Sequence, residues 1–131
     1  MLSVFKKLFS KNNEHVVVEL PESENATFEL KVDDIIIGTL HCDHGVWEFK
    51  YTDAFKQHSD EYNKIIGFSD LNKTYRNAIL WPFFQTRIPG LKQPAVQEIL
   101  AREKISQTNE VELLKRFGKR TISNPYELEL V

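Results

Sequence analysis

The chain has 131 residues, 41% hydrophobic and 27% charged, with a formal net charge of −2, which suits one globular domain that builds a core without staples. Its single cysteine, Cys42, excludes an intramolecular disulfide, and the expected setting is a reducing cytoplasm. No apolar run approaches the roughly 20 residues of a membrane helix, and Lys6 and Lys7 interrupt the apolar start at Met1–Lys11, so no signal-peptide core is present.

The charge is unevenly spread: residues 1–70 hold seven Lys/Arg against thirteen Asp/Glu, whereas residues 71–120 hold ten against four. Such asymmetry gives an acidic and a basic side that could orient the domain on a charged partner. Residues 1–27 read as an N-terminal extension, with a basic start, a β-prone run at Val16–Val18 and a polar stretch from Pro21 to Asn25. The domain itself is expected over 28–131.

From Phe28 the period is two. Phe28, Leu30 and Val32 alternate with Glu29 and Lys31, and Asp33-Asp34 makes a turn. Ile35–His41 is a second strand, Cys42-Asp43-His44-Gly45 a second turn, and Val46–Thr52 a third strand. That third strand places Trp47, Phe49 and Tyr51 on one face and Val46, Glu48 and Lys50 on the other. Residues 53–63 are polar, and Lys64–Phe68 reads as a further short strand.

The second half changes period. Pro82 suits the first turn of a helix that carries Phe83, Phe84, Arg87 and Ile88, and Pro89-Gly90 stops it. Pro94 opens a second helix with Val96, Ile99 and Leu100 on one stripe. Asn109 and Glu112 form a capping box for a third, which ends at Gly118. Tyr126, Leu128 and Leu130 alternate with Glu127 and Glu129 as a returning strand. The expected fold is α+β: a small antiparallel meander sheet, a cluster of three short helices and a C-terminal strand.

The glycines are too far apart for a dinucleotide or kinase phosphate loop, and no Walker A motif, nucleophile elbow, His-Glu-x-x-His or Cys-x-x-Cys is present. The expectation is a protein that is not an enzyme and needs no cofactor. His41, Cys42, Asp43 and His44 are all metal-ligand types. Neighbours on a strand point to opposite faces, however, so His41 and Cys42 do not readily share one ion, and Asp-His-Gly is good turn chemistry by itself. Phe83 and Phe84 read as core, each stabilising the fold by roughly 1.5–3 kcal/mol if buried. The loop after them, bent by Pro89 and Gly90 and tipped by Leu91 and Lys92, is either a solvated connector or a pre-bent element that enters a partner's cleft at low entropic cost. Lys115, Arg116, Lys119 and Arg120 either touch phosphates or cap a helix end.

The order of these parts resembles the HipA N-terminal subdomain family. A strand with Ile37-Gly38-Thr39-Leu40 is followed by Gly45-x-Trp47-x-Phe49-x-Tyr51, the Phe83-Phe84 helix with its Pro-Gly loop, then Glu112-Leu113-Leu114 with Phe117-Gly118 and a final strand. The resemblance covers about residues 28–131. In full-length HipA proteins this subdomain precedes a Ser/Thr kinase core, and here the chain stops at Val131. It is therefore similar to the HipS-like antitoxins of three-gene HipB–HipS–HipT systems. The resemblance implies a non-catalytic antitoxin whose partners are a HipT/HipA-like Ser/Thr kinase and a HipB-like DNA-binding protein, with no direct nucleic-acid contact and no membrane. It implies a partner-binding stretch at Arg87, Ile88, Pro89, Gly90, Leu91 and Lys92, of which Pro89–Lys92 match the loop that approaches the nucleotide pocket. The chain departs from the family in its N-terminal extension and in a loop without an aromatic residue. The competing readings are an accessory subunit that completes a split HipA kinase without inhibiting it, and a small nucleic-acid-binding module using the basic 71–120 half.

Overall fold

Three consecutive period-two segments form the first three strands of a sheet: β1 (Asn25–Val32), β2 (Ile35–Asp43) and β3 (Val46–Tyr51). The computed structural model describes residues 25–131, so the basic start Met1–Lys11, the Val16–Val18 run and residues 21–24 lie outside the described residues. Among the described residues two further strands join the sheet, β4 (Tyr75–Asn77) and β5 (Glu127–Leu130), in the order β4-β3-β2-β1-β5 with every pair antiparallel.

The register aligns the apolar residues on one face. Ala26, Phe28 and Leu30 lie opposite Cys42, Leu40 and Gly38, which in turn lie opposite Trp47, Phe49 and Tyr51. Leu128 sits opposite Leu30. The other face is polar and carries Thr27 beside His41 (2.7 Å), Lys31 paired with Glu129 (2.7 Å) and Arg76 paired with Glu48 (2.7 Å). Such a one-sided sheet needs a cover, and the helices supply it.

Both hairpin turns hold their central residues at positive φ: Asp33 at 50° and Asp34 at 66°, His44 at 52° and Gly45 at 78°. This left-handed pair matches the twist of the strands it joins. The second turn is therefore only His44-Gly45. The expected strand end at His41 is corrected, because Cys42 and Asp43 still pair with Trp47 and Val46. A register shift between Leu30 and Lys31 leaves Ile37 as an extra residue in β2. That bulge buries Ile37 beside Gly38, and the Ile37 carbonyl accepts from the Thr52 N–H at 2.9 Å. Gly38 is required there, since a Cβ would stand 2.5 Å from the Phe49 ring and 2.9 Å from the Lys50 carbonyl.

The structure holds α1 (Asp53–Gln57), α2 (Pro82–Gln85), α3 (Pro94–Glu103) and α4 (Glu110–Phe117), so α1 adds to the three helices expected. Thr52 caps α1 by accepting from the Phe55 N–H at 3.2 Å, and Asn109 caps α4 by accepting from the Glu112 N–H at 3.1 Å. The segment Lys64–Phe68 is not a strand. Phe68 N–H donates to the Ile65 carbonyl at 2.9 Å with Gly67 at φ +95°, which is a tight turn with glycine at its left-handed position. The buried Tyr51 hydroxyl fastens that turn, accepting from Ile65 N–H at 3.0 Å and donating to the Phe68 carbonyl at 2.5 Å.

Candidate partner-binding surface

The stretch from α2 into α3 sets where each candidate residue lies. Trp81 is the N-cap of α2 and Pro82 opens it, where its missing N–H leaves no bond unmade. Phe84 is fully buried against Phe49 (5.6 Å between ring centroids), while Phe83 stays half-exposed, edge-on to Phe84 at 5.1 Å. After α2, Arg87 N–H and Ile88 N–H donate back to Phe84 and Gln85 carbonyls, so the helical turn unwinds gradually.

Arg87 points into the molecule and is 3% exposed. Its guanidinium donates to the Gly118 carbonyl (2.9 Å), the Lys119 carbonyl (3.2 Å), Asn124 Oδ1 (3.2 Å) and the Tyr126 carbonyl (2.9 Å). Burial pushes its pKa down to about 10, and it remains charged at neutral pH. Arg87 therefore clamps α2 to the segment between α4 and β5 and presents no guanidinium to a partner, unlike its place in the expected binding stretch. No sequence pattern announces this role, because the carbonyls it holds lie 31 to 39 residues downstream.

The remaining residues form a small, fastened loop. Ile88 packs on both apolar clusters, and Leu91 is half-buried against the cluster of Val96, Leu100 and Leu113. Gln93 N–H donates to the Gly90 carbonyl at 3.2 Å, and the Gln97 side-chain amide donates to the Leu91 carbonyl. Leu91 is thus an anchor and not an exposed tip. Lys92 is exposed, and no ion pair holds it among the described residues.

A second concavity lies on the other side of α2. Its volume is about 570 Å³, and it runs between the 63–68 turn and residues 123–126, floored by Trp81, Pro82, Phe83 and Tyr126. Burial pushes the Tyr126 hydroxyl above its ordinary pKa. None of Pro89–Lys92 lines it.

A family model describing the HipA N-terminal domain matches residues 28–123. The chain belongs to the HipA N-terminal domain family. No curated protein and no solved structure matches the chain. In this HipA N-terminal domain the residues that carried the resemblance are chiefly core: Gly38 accommodates the Phe49 ring, and Phe49, Tyr51, Phe84 and Leu114 are buried. The family match therefore rests largely on the scaffold, and Lys92 is an exposed residue within its span.

Two other candidates resolve in the same way. Cys42 is buried on the core face, His41 lies on the opposite face beside Thr27, and Asp43 Oδ1 pairs with His44 Nδ1 at 2.6 Å. Among the described residues no group of three His, Cys, Asp or Glu is placed to hold a metal ion. At the basic end of α4, Lys115 pairs with Glu112 (3.0 Å), Arg116 with Glu103 (2.8 Å) and Arg120 with Glu127 (3.0 Å). Those pairs neutralise most of a patch that would otherwise suit phosphates. No helix among the described residues is long and apolar enough to cross a membrane.

Proposed function

We propose that this HipA N-terminal domain is a non-catalytic antitoxin. In this reading it binds and neutralises a HipT/HipA-like Ser/Thr kinase in the cytoplasm, within a complex that includes a HipB-like DNA-binding protein. The observation that carries the reading is the family match over residues 28–123. The loop geometry is compatible with it: Leu91 and Gln97 hold the Pro89–Lys92 loop in one shape, and Lys92 projects from it as an exposed cation. A loop already fixed in its bound shape loses little entropy on docking, and a cation suits a cleft lined by metal-binding carboxylates.

Lys92→Glu tests the reading cleanly, because Lys92 is exposed and its replacement leaves the cluster under Leu91 intact. The expected outcome is an unchanged melting temperature, kinase binding weakened at least about tenfold, equivalent to about 1.4 kcal/mol, and lost growth rescue on co-expression with the kinase. Wild-type binding and rescue by the folded variant would remove the loop from the interface. Kinase autophosphorylation that rises when the wild-type domain is added would replace the antitoxin reading with that of an accessory subunit.

A further inference from the structure

The groove beside α2 differs from the Pro89–Lys92 loop in place and in chemistry, and the kinase reading does not use it. Its volume of about 570 Å³ falls within the range of ligand-binding clefts. The floor is aromatic: Trp81, Phe83 and Tyr126 are each half-exposed, and Pro82 lies among them. One wall is the tight turn after Ile65, whose Ile66 is 89% exposed. A turn locked by the Tyr51 hydroxyl and by Gly67 at positive φ holds that apolar side chain outward.

The polar groups of the groove are unequal in kind. Among the described residues neither the Trp81 indole N–H nor the Tyr126 hydroxyl hydrogen-bonds to another group, so two donors are available on the aromatic floor. Two of the side-chain acceptors nearby are already engaged, while the exposed Asn63 and Ser123 also line the groove. Asn124 Oδ1 accepts from Arg87 Nη2 and from Tyr126 N–H, both at 3.2 Å, and the Thr86 hydroxyl is turned to the Phe83 carbonyl at 3.0 Å. Among the described residues Lys64 is the only charged one that lines the groove, and no carboxylate pairs with it.

We propose that this groove binds an extended, proline-rich peptide segment that carries a carboxylate. A polyproline II segment has no internal hydrogen bonds, so its carbonyls need donors, and its prolines bring no N–H that would need an acceptor. Aromatic faces beside unpartnered donors suit such a segment. The walls are turns and not free strand edges, so β-strand addition has nothing to pair with there. Lys64 selects the carboxylate by charge.

The test uses the full chain and three blocked peptides: five prolines followed by glutamate, five prolines followed by lysine, and a glycine-serine peptide of equal length. Tryptophan fluorescence follows binding, since Trp81 lines the groove while Trp47 is fully buried elsewhere in the core. The expected result is a saturable change with the glutamate peptide, about tenfold weaker binding of the lysine peptide, and no response to the glycine-serine peptide. Lys64→Glu should reverse the preference between the two charged peptides, and Ile66→Asp should abolish binding. Both positions are exposed, so circular dichroism should show an unaltered fold. No saturable change with the glutamate peptide, equal binding of the glycine-serine peptide, or an unaltered preference in Lys64→Glu would each overturn the proposal.

Discussion

Beneath the sheet, rings pack on rings: Phe49 lies 4.6 Å from Phe68 and 5.6 Å from Phe84, and Tyr51 stacks on Phe55 at 5.0 Å. Beneath the Pro89–Lys92 loop the packing is mostly aliphatic and much smaller, with Val96, Leu100 and Leu113 buried and Leu91, Ile105 and Phe117 at their margin. The first cluster draws on every layer of the fold, from β1 to α4. The second is built by two helices and the loop that precedes them. The difference separates two tasks. The aromatic cluster decides whether the chain folds, and the aliphatic one decides where the loop stands.

The largest expected effect sharpens this contrast. Phe84→Ala should destabilise the domain by about 3–5 kcal/mol, because a fully buried ring is replaced by a cavity among other rings. Leu100→Ala, in the smaller cluster, should cost about 2 kcal/mol and leave the near-UV signal of the aromatic core in place. Urea denaturation of the two variants checks the ranking, and equal losses would mean that the clusters form one cooperative unit.

Arg87 joins the two regions, and its removal probes that joint. Arg87→Ala leaves the carbonyls of Gly118 and Tyr126 without their donor inside the protein, while the Lys119 carbonyl keeps the Leu128 N–H at 2.9 Å. A loss on the order of 3 kcal/mol is expected, with faster hydrogen exchange in the segment from Gly118 to Tyr126. Exchange that accelerates evenly over the whole chain would instead place Arg87 in the global core.

Sequence periodicity made β1, β2 and β3 legible because one face of each had to be apolar, and it placed Trp47, Phe49 and Tyr51 correctly in the core. Pro94 and Asn109 marked α3 and α4 by local backbone chemistry. What escaped depended on distant partners or on brevity. Ile65 and Phe68 point inward because the Tyr51 hydroxyl, across 14 and 17 residues of chain, captures their backbone groups. Tyr75–Asn77 is too short to show an alternation. Thr52 reads as the end of a β-prone run, yet its hydroxyl caps α1. In the candidate site, Leu91 and Lys92 look equivalent in sequence, and only the cluster beneath the loop distinguishes an anchor from a presented charge.

A pH dependence tests the Tyr51 fastening from another direction. Burial pushes the Tyr51 hydroxyl from 10.0 up to about 12, so the folded state resists ionisation more than the unfolded chain does. The sign follows: the contribution is fully present below pH 10 and is lost as the pH rises toward 12. Between pH 9 and 11.5 this one group should remove about 2 kcal/mol of stability. Chemical denaturation of wild type and Tyr51→Phe at the two pH values checks it. The variant should be less stable at pH 9 and should lose less on going to 11.5.

The smallest expected effect concerns the loop itself. Gly90 looks like the residue that permits the bend, but the described glycines at positive φ are Gly45 and Gly67. A Cβ at Gly90 would meet the Gln93 side-chain amide at 3.0 Å, the far end of a flexible side chain that can move away. Alanine also narrows the unfolded ensemble, which offsets about 0.4–1 kcal/mol of any crowding. Gly90→Ala should therefore change the melting temperature by no more than about 2 °C and leave the proposed kinase binding as it was. The bend is held by Leu91 in the aliphatic cluster and by the bonds from Gln93 and Gln97, and none of these requires glycine. A drop several times larger would show that the turn is strained at Gly90, and the small cluster would then no longer account for where the loop stands.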